Sequence, residues 1–169
     1  MPITPIHSLE LFRIREIANI TWPISYKDMI SLKQIDYMLE SMYSDNQLNE
    51  NVKNGREIYV FTQQKKDKGF IEIGTELSIG RIEKCYIIPS EQGKGFGAKL
   101  IHFALNYFKK KEISSIQLNV NKNNPAISFY QKIGFKIQCE IIKDIGNGFI
   151  MDDYLMIYDV TPNKSKYVF

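Results

Sequence analysis

Apolar positions in the first 55 residues recur at helical spacing. Leu9, Leu11, Phe12, Ile14, Ile17 and Ala18 form one such stripe, which Trp22-Pro23 is expected to interrupt. Ser31 suits the N-cap of a second helix carrying Ile35, Tyr37, Met38, Leu39 and Met42. A third, short helical stretch runs through Leu48 to Val52 and stops at Asn54-Gly55. From there the period changes. Glu57 to Thr62 and Phe70 to Leu77 read as strands around the polar turn Gln63 to Gly69, which predicts a hairpin. Gly80 to Ile88 is a further strand, stopped by Pro89. Gly97 then opens a helix to Lys111, with Leu100, Ile101, Ala104, Leu105, Tyr107 and Phe108 on its apolar face. Lys99, His102, Asn106 and Lys109 face away, so His102 reads as a surface residue. Ile116 to Val120 is the next strand, and Pro125 suits the first turn of a helix through Tyr130, with Gly134 as its stop. Strands Phe135 to Ile142 and Phe149 to Tyr158 flank the turn signal Gly146-Asn147-Gly148.

This order predicts an α/β fold, a mixed sheet with helices on its faces. No linker marks a boundary, so residues 1–169 are expected to form one domain. It comprises a helical region over 1–55, a core over 56–158 and a tail over 159–169.

Composition narrows the function classes. At 169 residues, 44% of them hydrophobic, the chain can bury a sizeable core. No run approaches the roughly 20 apolar residues of a membrane span, and the N-terminus lacks the regions of a secretory signal. A cytoplasmic protein is expected. The net charge of +3 is mild. Lys65-Lys66-Asp67-Lys68 and Lys109-Lys110-Lys111 read as a solvated turn and a helix C-terminus, not as a nucleic-acid face. Cys85 and Cys139 lie in apolar runs and are expected to be small buried residues. Nothing has the spacing of a metal site.

The chemistry concentrates in Gln92-Gly93-Lys94-Gly95-Phe96-Gly97, between a strand and a helix. Three glycines in five positions let a ligand approach the backbone, and the helix start adds free amides and a positive dipole end. That is a phosphate or pyrophosphate site. A P-loop would need Ser or Thr after Lys94, where Gly95 stands. A dinucleotide site would want an acid on the following strand, where Gln117, Asn119, Asn121 and Asn123 stand.

Gln92-x-x-Gly95-x-Gly97 resembles the (Arg/Gln)-x-x-Gly-x-(Gly/Ala) turn of the GNAT-superfamily N-acetyltransferases. The segment from Asn123 to Phe135 is similar to that family's Asn-x-x-Ala-x-x-(Phe/Leu)-Tyr-x-x-x-Gly-Phe. The two segments follow in the family's order, one helix and one strand apart. The resemblance implies a central mixed seven-stranded sheet flanked by helices, with acetyl-CoA as co-substrate and no metal. It implies that the amides of Gln92, Gly93, Lys94, Gly95, Phe96, Gly97 and Ala98 hold the pyrophosphate. Backbone near Tyr86, Ile87 and Ile88 would pair with the pantetheine arm, an amide around Ile87 polarising the thioester. Asn123 and Lys132 would contact the cofactor, and Tyr130 would protonate the leaving thiolate.

The implied reaction is acetyl transfer to a primary amine. An aliphatic ammonium has a pKa near ~10.4, so only about one molecule in two thousand is neutral at pH 7 and a base is needed. Glu72, Glu76 and Glu83 are the candidates, Glu83 being on the strand that meets the thioester. Trp22, Tyr26, Tyr37, Tyr43, Asp36, Glu40 and Asp45 are expected along one wall of the acceptor site, and Asp152 and Asp153 along another. Aromatics and carboxylates suit a polyamine or other small cationic amine. Residues 37–43 also resemble a bacterial-type GNAT subgroup that includes polyamine acetyltransferase-like proteins. A peptide or protein amine and an aminoglycoside-like amine stay open, as does a non-catalytic CoA-binding regulatory module. A homodimer is compatible with the chain.

Overall fold

The computed structural model describes residues 2–160. A short strand, β1 (Ile3–Pro5), precedes the helices α1 (Phe12–Ser25), α2 (Leu32–Tyr43) and α3 (Asp45–Lys53). Three strands follow, β2 (Glu57–Gln63), β3 (Lys66–Glu76) and β4 (Ile79–Ile87). Then come α4 (Phe96–Lys110), β5 (Ser115–Asn121), α5 (Ala126–Ile133), β6 (Lys136–Gly146) and β7 (Phe149–Asp159). The seven strands form one sheet in the order β1-β2-β3-β4-β5-β7-β6. Only the β4–β5 pairing is parallel.

Two cores cover the two sheet faces. Leu100, Ile101, Ala104 and Phe108 of α4 pack on Ile71, Ile73, Ile116 and Leu118. On the other face, Ile14, Ile17, Ala18 and Trp22 of α1 join Ile35 and Met38 of α2 and Leu48 of α3. They pack over Ile58, Val60 and Phe70. Full burial of each such side chain is worth roughly 1.5–3 kcal/mol, so both helical layers are firmly tied to the sheet. His102 is exposed, as its place on the polar face of α4 requires. No helix among the described residues is long and apolar enough to cross a membrane.

Several local expectations change. Helix α1 does not stop at Trp22-Pro23 but continues to Ser25. Pro23 removes one hydrogen bond in the last turn only. The turn is held by the burial of Trp22 and by the Tyr26 amide, which donates to the Trp22 carbonyl at 3.0 Å. The first hairpin is tighter than its polar stretch suggests. Gln64 and Lys65, both at positive φ, make a two-residue turn, so β3 begins at Lys66. Leu77 and Ser78 turn β3 into β4 in the same way. The expected tail begins later than residue 159: Asp159 pairs with Ser115, and the Val160 amide donates to the Ser114 carbonyl. The remainder of the tail lies outside the described residues. Cys85 is half-buried, but Cys139 is exposed. It sits on β6, the edge strand, whose side chains are almost all solvent-facing.

Candidate active site

The sheet opens between β4 and β5. Their pairing covers only Gly80 with Ile116, Arg81 with Gln117 and Ile82 with Leu118. Beyond Ile82 a bulge places Glu83 as an extra residue opposite the Glu72–Ile73 step of β3. The strands then part. The Ile88 amide donates to the Lys68 carbonyl at 2.9 Å. By the alternation of an antiparallel ladder, Ile87 therefore turns its amide and carbonyl to the opposite edge, into the gap. The Gln92 side chain donates to that carbonyl at 3.1 Å. Of the three strand residues expected to face the pantetheine, Tyr86 and Ile87 line the gap, while Ile88 spends its amide on β3.

The gap is part of a cleft of about 1060 Å³ that runs to the head of α4. There the chain makes one 3₁₀ turn over Pro89–Glu91 before entering the helix. Gly93 and Gly95 have φ of +76° and +79°, a conformation that disfavours any residue with a side chain, and no protein atom lies within 4 Å of where a Cβ would stand at either position. Open space over a bare glycine backbone is what an approaching ligand needs. Among the described residues, the amides of Gly93 through Ala98 donate to no backbone carbonyl. Those at the helix start have no intrahelical partner by construction. Six unspent main-chain donors, five of them on the cleft-lining residues Gly93, Gly95, Phe96, Gly97 and Ala98, thus lie with a helix dipole at one end of the cleft. The Lys94 ammonium reaches back to Glu91 at 2.8 Å, and Lys68 holds the same carboxylate at 2.6 Å. Both ammonium groups keep the Glu91 carboxyl below its usual range.

At the middle of the cleft, α5 presents Tyr130, which is 9% exposed and packs against Phe129 and Phe135. Burial, followed by the proximity of Cys85 and Tyr26, holds its hydroxyl well above the usual phenol value. It is a protonated donor at neutral pH. Cys85 also lines the cleft, and burial pushes its thiol up to about 12, so it is no nucleophile. The Asn124 side chain accepts from the Ala126 amide at 2.9 Å and so caps the start of α5. Asn124 lines the cleft; Asn123 and Lys132 are exposed and outside it.

The half of the cleft away from the head of α4, expected to take the acceptor, lies on the α1–α2 side. Trp22 and Tyr26 line it, their rings 4.5 Å apart, and the Tyr26 and Tyr86 hydroxyls meet at 3.0 Å. Gln34, Met38 and Met42 form the α2 wall. The acids expected there do not. Asp36, Glu40 and Asp45 line a separate concavity with Arg15, because they occupy the opposite face of α2 and the start of α3. Tyr43 is fully buried beneath Trp22, and Tyr37 bonds the Ile145 carbonyl away from the cleft.

The three carboxylates expected as bases are all engaged. Glu72, 1% exposed, is outside the cleft lining and is held by Lys84 at 2.7 Å and Asn51 at 3.0 Å. Glu83 lines the cleft but pairs with Arg56 at 2.8 Å, and Arg56 also holds Glu76. Asp153 is different. It lies on β7 opposite Asn121, is 5% exposed, and lines the cleft close to Tyr26. Burial and then the neighbouring Asp152 push its carboxyl up to about 6, against an opposing pull from Lys122.

Comparison with known proteins agrees with this geometry. Residues 26–150 match the acetyltransferase (GNAT) domain family. The chain is 29% identical over 149 residues to the spermidine N(1)-acetyltransferase of Thermoplasma acidophilum, covering 85% of this chain and 90% of that one. It is 31% identical over 134 residues to the spermidine N(1)-acetyltransferase of Vibrio cholerae, covering 77% and 74%. Among solved structures it resembles the PaiA N-acetyltransferase of Thermoplasma acidophilum, crystallised in complex with coenzyme A. The TM-score is 0.81 at 23% identity, over 95% of this chain and 100% of that one. With the two motifs, the split sheet and the family match in agreement, the chain belongs to the GNAT family of N-acetyltransferases.

Proposed function

We propose that the chain transfers the acetyl group of acetyl-CoA directly to a primary amine, and that the acceptor is a polyamine or another small cationic amine. The observation that carries this reading is the continuity of one cleft from six unspent amides at the head of α4, through the β4–β5 gap, to an aromatic chamber. The amides of Gly93 to Ala98 hold the pyrophosphate. The free edge of β4 pairs with the pantetheine arm as an added strand would, and the Ile87 amide donates to the thioester oxygen as negative charge develops there.

Tyr130 supplies a proton to the departing thiolate. Its high proton affinity suits the task, because the same dry surroundings that hold the phenol protonated also raise the basicity of the sulfur. Trp22, Tyr26 and Tyr86 offer ring faces to a cation, and the two relatives named as spermidine acetyltransferases support the polyamine class.

The test is release of free thiol from acetyl-CoA in the presence of spermidine, putrescine, a peptide with a free N-terminus and an aminoglycoside. Thiol release with the polyamines above the others is the expected result. CoA binding without amine-dependent thiol would make the protein a binding module, and preference for the peptide would move the acceptor class.

A further inference from the structure

Four carboxylates line the cleft: Glu76, Glu83, Glu91 and Asp153. Glu76 and Glu83 are ion-paired with Arg56, and Glu91 with Lys68 and Lys94. Among the described residues, no hydrogen bond or ion pair engages the Asp153 side chain. Its neighbour Asp152 takes the nearest cation, Lys122, at 2.6 Å, and Lys122 also holds Glu140. Asp153 thus combines near-complete burial, an open side toward the cleft and the lack of a partner. A buried carboxylate in that condition is costly unless something cationic completes it.

Its position in the sheet fits that use. Asp153 lies opposite Asn121 at the end of β5, just before the segment that carries Asn124 and Tyr130. Close to it in the cleft is Tyr26, bonded to Tyr86, and beside it on β6 is the cleft-lining Lys143, two positions from Ile141, the residue that pairs with Asp153. We propose that Asp153 binds the acceptor's reacting ammonium and accepts its proton, with Tyr26 and Tyr86 as the aromatic surface beside it. The proposal rests on the acetyltransferase reading and deepens it: the chamber takes one ammonium at the reacting end, opposite a single free anion.

The proton balance is as follows. The ammonium gives one proton to the Asp153 carboxylate, and the neutral nitrogen attacks the thioester carbonyl. The carbon–nitrogen bond forms, the carbon–sulfur bond breaks, and Tyr130 protonates the sulfur. The second nitrogen proton restores Tyr130, and Asp153 returns its proton to solvent. A carboxyl titrating at about 6 is ionised at neutral pH and still basic enough to accept a proton transiently.

The experiment compares the unaltered protein with Asp153→Asn on spermidine and on trifluoroethylamine, whose ammonium is already largely neutral at pH 7. With spermidine, Asp153→Asn is expected to lower kcat/KM by about 100-fold or more and to lose the acid limb near pH 6. Coenzyme A affinity should be unchanged. With trifluoroethylamine the deficit should shrink to roughly fivefold or less, since there is little proton to take. Equal deficits with both amines, or unchanged spermidine turnover, overturn the assignment. If the variant loses coenzyme A binding, the wild-type profile decides, because an acid limb near pH 6 absent with spermidine also overturns it. A failure of the acetyltransferase reading looks different: the unaltered protein would release no thiol with any amine.

Discussion

The hydroxyls of Tyr26 and Tyr86 meet at 3.0 Å in the aromatic half of the cleft, joining the end of α1 to the free edge of β4. Both rings pack on Trp22, whose indole donates to Tyr43 behind them. Burial raises both phenols above their usual value, so the pair is neutral and its bond is an ordinary hydroxyl contact in a dry site. Removing one hydroxyl strands the other. Tyr26→Phe is expected to cost about 1–3 kcal/mol of folding free energy, the desolvation of an unmatched buried group. Urea unfolding of Tyr26→Phe, Tyr86→Phe and the double variant checks this, and the double variant should recover part of the loss.

Glu72 is a structural carboxylate. Glu72→Gln leaves the Lys84 ammonium buried without its counter-charge, which costs about 3–5 kcal/mol. Glu72→Leu with Lys84→Met removes both charges and should restore most of that stability. Thermal unfolding reads the difference, and turnover of the restored double variant should remain near that of the unaltered protein.

Tyr130→Phe separates chemistry from stability. No hydrogen bond holds the Tyr130 hydroxyl among the described residues, and the ring keeps its packing in phenylalanine. Turnover should fall on the order of 100-fold, with coenzyme A affinity and the unfolding midpoint little changed. Stopped assays of thiol release, beside calorimetric binding, distinguish these effects.

Asp153 also makes stability depend on pH. Its carboxyl holds a proton to about pH 6 in the folded chain, against about 3.9 unfolded. Between those values folding takes up a proton. Its contribution is therefore full below about pH 4 and is lost as pH rises through 6. Asp153→Asn removes the penalty, so the variant should gain about 3 kcal/mol over the unaltered protein at pH 7.5 and almost nothing at pH 4. Urea unfolding at the two pH values measures it.

The cofactor end was far more legible in the sequence than the acceptor end, for a physical reason. The turn proposed for the pyrophosphate is made of consecutive backbone amides, so Gly93, Gly95 and Gly97 carry its signature locally. Tyr130 was legible through its place in a contiguous motif. Asp153 comes close to Tyr26 and shares a cleft with Tyr130 only because β7 inserts between β5 and β6, a relation of distant segments. Glu72 and Glu83 looked like open strand carboxylates because Lys84, Asn51 and Arg56, which engage them, come from other elements or the next turn of pairing. Asp36 and Glu40 shared a helix with cleft-lining Met38, yet the face of α2 that turns inward was decided by packing on α1 and the core beneath it. The turns at Gln64-Lys65 and Leu77-Ser78 lack glycine, and β1, only three residues long, shows no period.

Gly95→Val would place a branched side chain in open space at a φ of +79°. The backbone strain costs about 1–2 kcal/mol, which the fold should survive, while the added methyls stand where a pyrophosphate would sit. Coenzyme A affinity is expected to drop at least about 100-fold, equivalent to the loss of about 2.7 kcal/mol. Calorimetric titration checks it.

The most direct measurement follows the backbone amide resonances of the isotope-labelled protein as coenzyme A is added. The largest shifts should fall on Gly93 through Ala98, with Ile87 next, as these are the donors left without partners at the two ends of the phosphate-to-thioester path. Binding that leaves those amides unmoved, with the shifts gathered on another surface, would contradict the account.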